Sequence, residues 1–356
     1  MSSTNTAQTT LLSLSAPPDI LAAVPYLLGY HPAQSLIALG LTRRQVQIAA
    51  RWDLPLSQHS LAPFPAMLAR ERITELIVVG YGPGALVTPA VDTMRELAAK
   101  AGVPVAEALR AEETRFWSYL CDVPACCPIE GTPFDITTTQ VAAEATVHGL
   151  VALPDRAMLE ATISPATGPI RLGMRRATSD TAAALVSRLV DCRNPDRFAD
   201  EYVTEALTRV RSAMTSPERL SDRQAAELGF DLAIIRVRDE AWTCMQDAHL
   251  PLWRDLTRRL EPRFVPPAAS LLAMAAWRSG DCVLAAIALE RALRIDPTYS
   301  MAHLLRHALE QLLPPKLLTD RLPTSSDLDT AMGSPKQTWL IPLLGLLDDQ
   351  TSDDPP

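Results

Sequence analysis

Apolar positions along the chain change period near its middle. SLIALGL (35–41) and VQIAARWDL (46–54) are apolar runs on either side of a polar turn at Thr42–Gln45, which predicts a β-hairpin. ELIVVGYG (75–82) is short and almost wholly apolar, as expected of a strand buried on both faces. Residues 88–101 put Val91, Met94, Leu97 and Ala98 on one helical face. VPVAEALR (103–110) and TRFWSYLC (114–121) read as a second hairpin. A helix capped by Asp19 runs to about Leu28 and ends at Gly29, and another covers 57–72 behind a proline-rich start. The order α-ββ-α-β-α-ββ predicts a mixed sheet carrying helices, not a regular βαβ repeat.

Beyond about residue 135 the two-residue period fades. Helices are expected over 138–149, 154–163, 179–190, 196–214, 217–228, 231–247 and 251–260, with a strong helical pattern over 266–313. The expected fold is therefore α+β. A Ser/Thr-rich segment 1–15 reads as disordered, a mixed α/β domain covers 16–160, and a helical domain covers 161–315. A flexible acidic tail covers 316–356, with one apolar stretch, WLIPLLGLL (339–347).

Composition sharpens this picture. Hydrophobic residues make up 47% and charged residues 21%, which excludes global disorder. There are 30 prolines against 14 glycines, so the chain is cut into short elements with stiff joints, and long coiled coils are excluded. The net charge of −8 argues against non-specific nucleic-acid binding. Basic clusters at Arg171, Arg175 and Arg176 and at Arg254, Arg258, Arg259 and Arg263 read as solvated helix faces. Ile20 to Thr42 carries no charged residue, but Pro25, Gly29, His31, Pro32 and Gln34 interrupt it, which is incompatible with a membrane span. With no positive n-region ahead of Arg43, the expectation is a cytoplasmic protein whose six cysteines are reduced.

Two sets of passages carry resemblances. PDILAAVPYLLGYHPAQSLIALGL (18–41), ARWDLP (50–55), FWSYLCDVPACCPIEGTPFD (116–135), VRDEAW (237–242) and residues 271–305 together resemble an actinobacterial family, the domain-of-unknown-function family numbered 4192. That resemblance implies a fold and a lineage but no catalytic residues. Residues 280–297 are similar to the second half of a tetratricopeptide repeat: Gly280 at the turn, then Ala285, Ala292 and Pro297. With 267–278 as its first helix and 298–312 as a third, this implies one helical hairpin of a kind used for protein–protein interaction.

Candidate chemistry is sparse. No G-x-S-x-G or H-E-x-x-H motif occurs. Cys121, Cys126 and Cys127 cross a Pro-containing turn. Three readings fit them: reduced thiols in a tight turn, a redox pair of Cys121 and Cys126, or a zinc site completed by His148 or His31. Gly80, Gly82 and Gly84 form a loop between a strand and a helix, where a cofactor's phosphate would meet a helix N-terminus, or where the chain simply turns. His31 and Asp53 are expected near one sheet end, where a His and a carboxylate suit acid–base work. His303 and His307 share a helix face in surface or packing roles. The expected function is binding or regulation of a protein partner through the helical domain. The alternative is an enzyme or small-ligand sensor using His31, the Gly82 loop or the cysteines. A polar pocket at the C-terminal end of strand 75–79 would favour the alternative.

Overall fold

The computed structural model describes residues 3–4, 16–57, 59–319 and 321–348. The expected disorder of 1–15 therefore falls outside the described residues, apart from Ser3–Thr4. The chain divides into two compact units. One holds the described residues up to Thr162 together with Ser279–Ala286 and Arg306–Pro315. The other holds Ile163–Arg278, Ile287–Leu305 and the described residues from Lys316 on.

The first unit is built on a mixed sheet. Its strands are β1 (Ser3–Thr4), β2 (Ser35–Thr42), β3 (Gln45–Asp53), β4 (Glu75–Tyr81), β5 (Val105–Glu112), β6 (Arg115–Ser118) and β7 (Thr132–Pro133), in the order β1-β3-β2-β4-β5-β6-β7. Every neighbouring pair is antiparallel except β4 and β5, which run parallel with Tyr81 opposite Ala111. That parallel pair needs a crossover. Helix α3 (Gly84–Lys100) supplies it, after α1 (Pro17–Leu28) and α2 (Phe64–Arg70).

The helices form where the pattern predicts. In α3 the buried residues are Val87, Ala90, Val91, Met94 and Ala98, spaced to share one face. With Phe64, Met67 and Leu68 of α2 they cover the sheet face of Leu36, Ala38, Leu76, Val78 and Ala108. Strand alternation sends Ile37, Leu39, Ile77, Val79 and Leu109 to the other face, and these are buried too. Here α1 packs on α4 (Gln140–Val147) and reaches β5. The β2–β3 hairpin closes through Arg43 and Arg44, both at positive φ (54° and 62°), as a two-residue primed turn demands. After α4, the chain returns beside the α1–β2 loop. The His31 amide donates to the Leu153 carbonyl (3.0 Å) and the Leu153 amide to Gly29 (2.8 Å), ahead of α5 (Arg156–Ala161).

The second unit is helical. It contains α6 (Gly168–Val190), α7 (Pro195–Thr215), α8 (Asp222–Asp231), α9 (Ile235–Thr243), α10 (Leu250–Arg259) and α11 (Val265–Arg278). Helices α12 (Cys282–Ile295) and α13 (Ser300–Glu310) follow in the chain after Gly280 at φ 87°, with only Ile287–Ile295 of α12 and Ser300–Leu305 of α13 in this unit. Ala285 and Ala292 are fully buried.

The segment from 316 is not a bare tail. It forms α14 (Lys316–Thr319), α15 (Ser325–Met332), a 3-10 turn over Gln337–Leu340 and α16 (Ile341–Asp348), and it buries Leu328, Leu340 and Leu343. Its acidity predicts flexibility, yet one of its acids, itself exposed, pairs with a buried guanidinium. Arg236, 1% exposed, donates to Glu240 Oε2 (2.8 Å) on α9 and to Asp329 Oδ1 (2.6 Å) and Ser325 Oγ (2.9 Å) on α15. Burying a guanidinium is tolerable only with such partners. The basic cluster near 259 also departs from the solvated face expected of it. Arg259 is 2% exposed and donates to Asp255, Asp222 and the Leu220 carbonyl.

Candidate functional site

A cleft of about 660 Å³ opens at the carboxyl end of β4 and β5. In sheets with a helical crossover this is where ligands collect, because the loops that leave the strands diverge there. Each wall follows from local structure. Leu21 and Pro25 of α1 give an apolar side. The α1–β2 loop contributes His31 and Gln34, and Gln34 sits at φ 43°. The ends of β4 and the β5–β6 turn contribute Tyr81, Gly82, Glu112 and Glu113, and the stretch after β7 contributes Phe134 and Asp135.

The cleft is mainly apolar, and its charge is acidic. No Lys or Arg is among its lining residues, which include three carboxylates. The Asp135 carboxylate accepts from the Thr137 hydroxyl (2.7 Å) and amide (2.8 Å), and these bonds hold its carboxyl below the ordinary value. Burial pushes the Tyr81 phenol up, so it stays protonated; its hydroxyl reaches toward the Leu21 carbonyl at 3.4 Å.

His31 lines this cleft, but Asp53 does not join it. The Asp53 carboxylate is held by Arg51, whose guanidinium also donates to Ser35 and lies over the Tyr30 ring. Of the loop glycines, Gly82 lines the cleft at φ 130°. The other two serve packing: a Cβ on Gly80 would collide with Val87, and one on Gly84 with the Arg110 guanidinium. Glu112, Glu113 and Asp135 escaped sequence reasoning. The parallel β4/β5 register places the β5–β6 turn, with its two glutamates, beside the end of β4, and Asp135 follows β7, which pairs with β6.

The thiols form a second cluster, on the turn between β6 and β7. Cys121 Sγ lies 2.9 Å from Cys126 Sγ, Cys126 Sγ lies 3.8 Å from Cys127 Sγ, and all three sulfurs fall within 4.8 Å of one another. The turn is closed by the Cys126 and Cys127 amides donating to the Val123 carbonyl. Hydrogen bonds from Cys126 and Cys127 lower the Cys121 thiol, and the bond to Cys121 pushes Cys127 up to about 12. His148, expected as a fourth ligand, ends α4 on the surface and is not among the ligand atoms gathered here. Among the described residues, this is the one group of three or more His, Cys, Asp or Glu placed to hold a metal.

The helical unit has clefts of its own. One, of about 580 Å³, lies among α6, α7 and α8. Much of its charge is internally matched. Arg188 pairs with Glu205, Arg223 with Glu227, and Arg209 donates twice to the buried Asp231 (2.8 Å each). Another, about 340 Å³, is lined by Leu232, Ile235, Phe264, Pro267 and Tyr299, with Pro342 and Leu346 from α16. His303 turns Nε2 to the Pro297 carbonyl (2.6 Å), a packing role. No described helix is long and apolar enough to cross a membrane.

No curated protein and no solved structure matches this chain. Residues 17–316 match the model of the family described as Domain of unknown function (DUF4192), which takes in the sheet-end cleft, the thiol turn and most of the helical unit, and the chain belongs to that family.

Proposed function

We propose that this chain is a binding protein whose small ligand occupies the sheet-end cleft, and that the ligand is an organic cation of the amine class. One observation carries the reading. The cleft at the carboxyl end of β4 and β5 combines three carboxylates and His31 with the aromatic residues Tyr81 and Phe134 in its lining, and no Lys or Arg lines it. Carboxylates make short, charge-assisted bonds to ammonium groups, and aromatic faces attract cations. The same lining repels phosphates.

Calorimetry and thermal shift against small amines such as putrescine and spermidine, with phosphate and ATP as anionic comparators, test this. An amine at a hundred times its Kd should stabilise the fold by about 2.7 kcal/mol. The pair Glu112→Gln and Glu113→Gln should weaken it at least about tenfold, the equivalent of 1.4 kcal/mol. Amine binding that survives both substitutions, or preferential binding of ATP, would sink the reading.

A second reading keeps a protein partner on the helical unit, as the tetratricopeptide-like pattern suggests. It is supported by the apolar groove beside Pro267 and Tyr299. Pro342 and Leu346 already form part of that groove, so a partner there competes with α16. Deleting 341–356 should strengthen such binding; unchanged capture of partners would remove the reading.

A further inference from the structure

We propose that Cys121, Cys126 and Cys127 bind one zinc ion through three thiolates, with the fourth coordination position open to solvent. This site is separate from the cleft and does not rest on the amine reading, since none of the three cysteines lines that cleft.

The number and spacing of the sulfurs point to a metal. A disulfide uses two thiols, and a third at the same place has no part in it. Tetrahedral zinc with Zn–S of about 2.3 Å sets its sulfurs roughly 3.8 Å apart. Cys126 and Cys127 already stand at 3.8 Å, and no pair exceeds 4.8 Å. The 2.9 Å gap between Cys121 and Cys126 must widen, by a rotation of exposed side chains.

The turn is also held in shape before any ion arrives. The Trp117 indole donates to the Ile129 carbonyl (3.0 Å), and Arg115 donates to the Gly131 carbonyl (2.7 Å). Gly131, at φ 81°, has no room for a Cβ against the Trp117 ring. The Thr132 hydroxyl ties down the Cys126 carbonyl (3.2 Å). Pro124 and Pro128 remove backbone freedom on either side. Ordering costs that a metal would otherwise have to offset are met by these bonds.

The binding step balances simply. Three thiols and one Zn²⁺ give a tris-thiolate zinc centre of net charge −1 and three protons released to solvent, with a water on the fourth position. There is no change of oxidation state. Cys121 and Cys127 are partly exposed and Cys126 is exposed, so an ion reaches the site without the fold opening.

The full-length protein, reduced and stripped of metal, is titrated with zinc alone, and then with cobalt(II) as a spectroscopic probe. Expected are one zinc per chain, thiolate-to-cobalt charge-transfer absorption, and protection of three of the six thiols from a thiol reagent. Each of Cys121→Ser, Cys126→Ser and Cys127→Ser should lower zinc affinity beyond the roughly 10–100-fold typical of losing an outer-shell partner. His148→Ala should leave affinity unchanged. Far-UV circular dichroism checks that the variants fold, and Cys244→Ser, at an exposed thiol elsewhere, is the control. Zinc well below one per chain overturns the proposal. So does a Cys127→Ser variant that binds like the parent, because the site then has two thiolates. A loss of affinity in His148→Ala overturns the open fourth position.

Discussion

At the scale of single residues, the clearest electrostatic consequence lies at Glu240. Its side chain is almost fully buried and accepts from Arg211 (2.7 Å) and Arg236 (2.8 Å). Burial alone would raise its carboxyl; the two guanidinium partners outweigh this and bring it from 4.5 down to about 2. A carboxyl lowered by folding stabilises the fold above its unfolded value, and that contribution is lost as pH falls from about 4.5 toward 2. Glu240→Gln should therefore cost roughly 3 kcal/mol or more at pH 7, because Arg211 and Arg236 lose an ionised partner. Urea unfolding at pH 7 and near pH 3 checks this. The gap between parent and variant should narrow in acid, and an equal gap at both pH values would refute the linkage. VRDEAW (237–242) was visible in the sequence as a family-like passage, but its chemistry was not. Arg211 lies 29 residues before Glu240, and Asp329 lies 93 beyond Arg236. No local pattern reports partners at such separations.

At the scale of elements, legibility follows the strength of the periodicity. The order α-ββ-α-β-α-ββ was readable because β2 and β4 are apolar runs and α3 keeps one apolar face. Helix α6 was half missed, its expected start being residue 179 against the observed Gly168. Its buried residues are Met174, Thr178, Ala182 and Leu185, at helical spacing but with two small or polar members. Such a face carries little hydrophobic signal, since a helix so nearly polar gains its stability from tertiary packing. The cleft was legible only in part. His31 and Gly82 were visible, while its carboxylates depended on the β4/β5 register and on the β6/β7 pairing. Gly80 shows the same limit. It reads as a glycine of a turn or of a phosphate loop, and the structure gives it a packing reason: a side chain there would enter the space of Val87. Gly80→Ala should destabilise the α/β unit by about 1–3 kcal/mol through overpacking between β4 and α3. Denaturant unfolding of the variant measures it, and Val87→Ala in the same chain should recover part of the loss. A loss that Val87→Ala does not relieve would mean the backbone of Gly80 matters for another reason.

At the scale of the whole molecule, the segment after Pro315 belongs to the helical unit's interior as well as its surface. It was expected to be flexible because acidic, proline-flanked sequence seldom buries enough apolar area to order itself. Two features reverse that. Asp329 and Ser325 complete the partners of the buried Arg236 guanidinium, and Leu340 and Leu343 are 3% and 0% exposed. Thr324 and Asp327 cap α15 reciprocally, and the Gln337 amide donates to Asp196 (2.9 Å) on α7. Removal of residues 316–356 should thus lower the stability of the helical unit, not merely shorten the chain. Two point variants separate the causes. Leu343→Ala tests apolar burial and should cost about 2–5 kcal/mol. Asp329→Asn tests the ion cluster, and its cost should shrink when Arg236→Met is made in the same chain, because the uncompensated charge is then gone. Thermal unfolding followed by circular dichroism reads the parent, the truncation, both point variants, and Arg236→Met with and without Asp329→Asn. If the truncated chain melts like the parent, neither contact stabilises the unit and the segment is a surface ornament. If Leu343→Ala alone matches the truncation, the ion cluster is neutral to stability, and the acid at 329 serves only to let Arg236 be buried where it is.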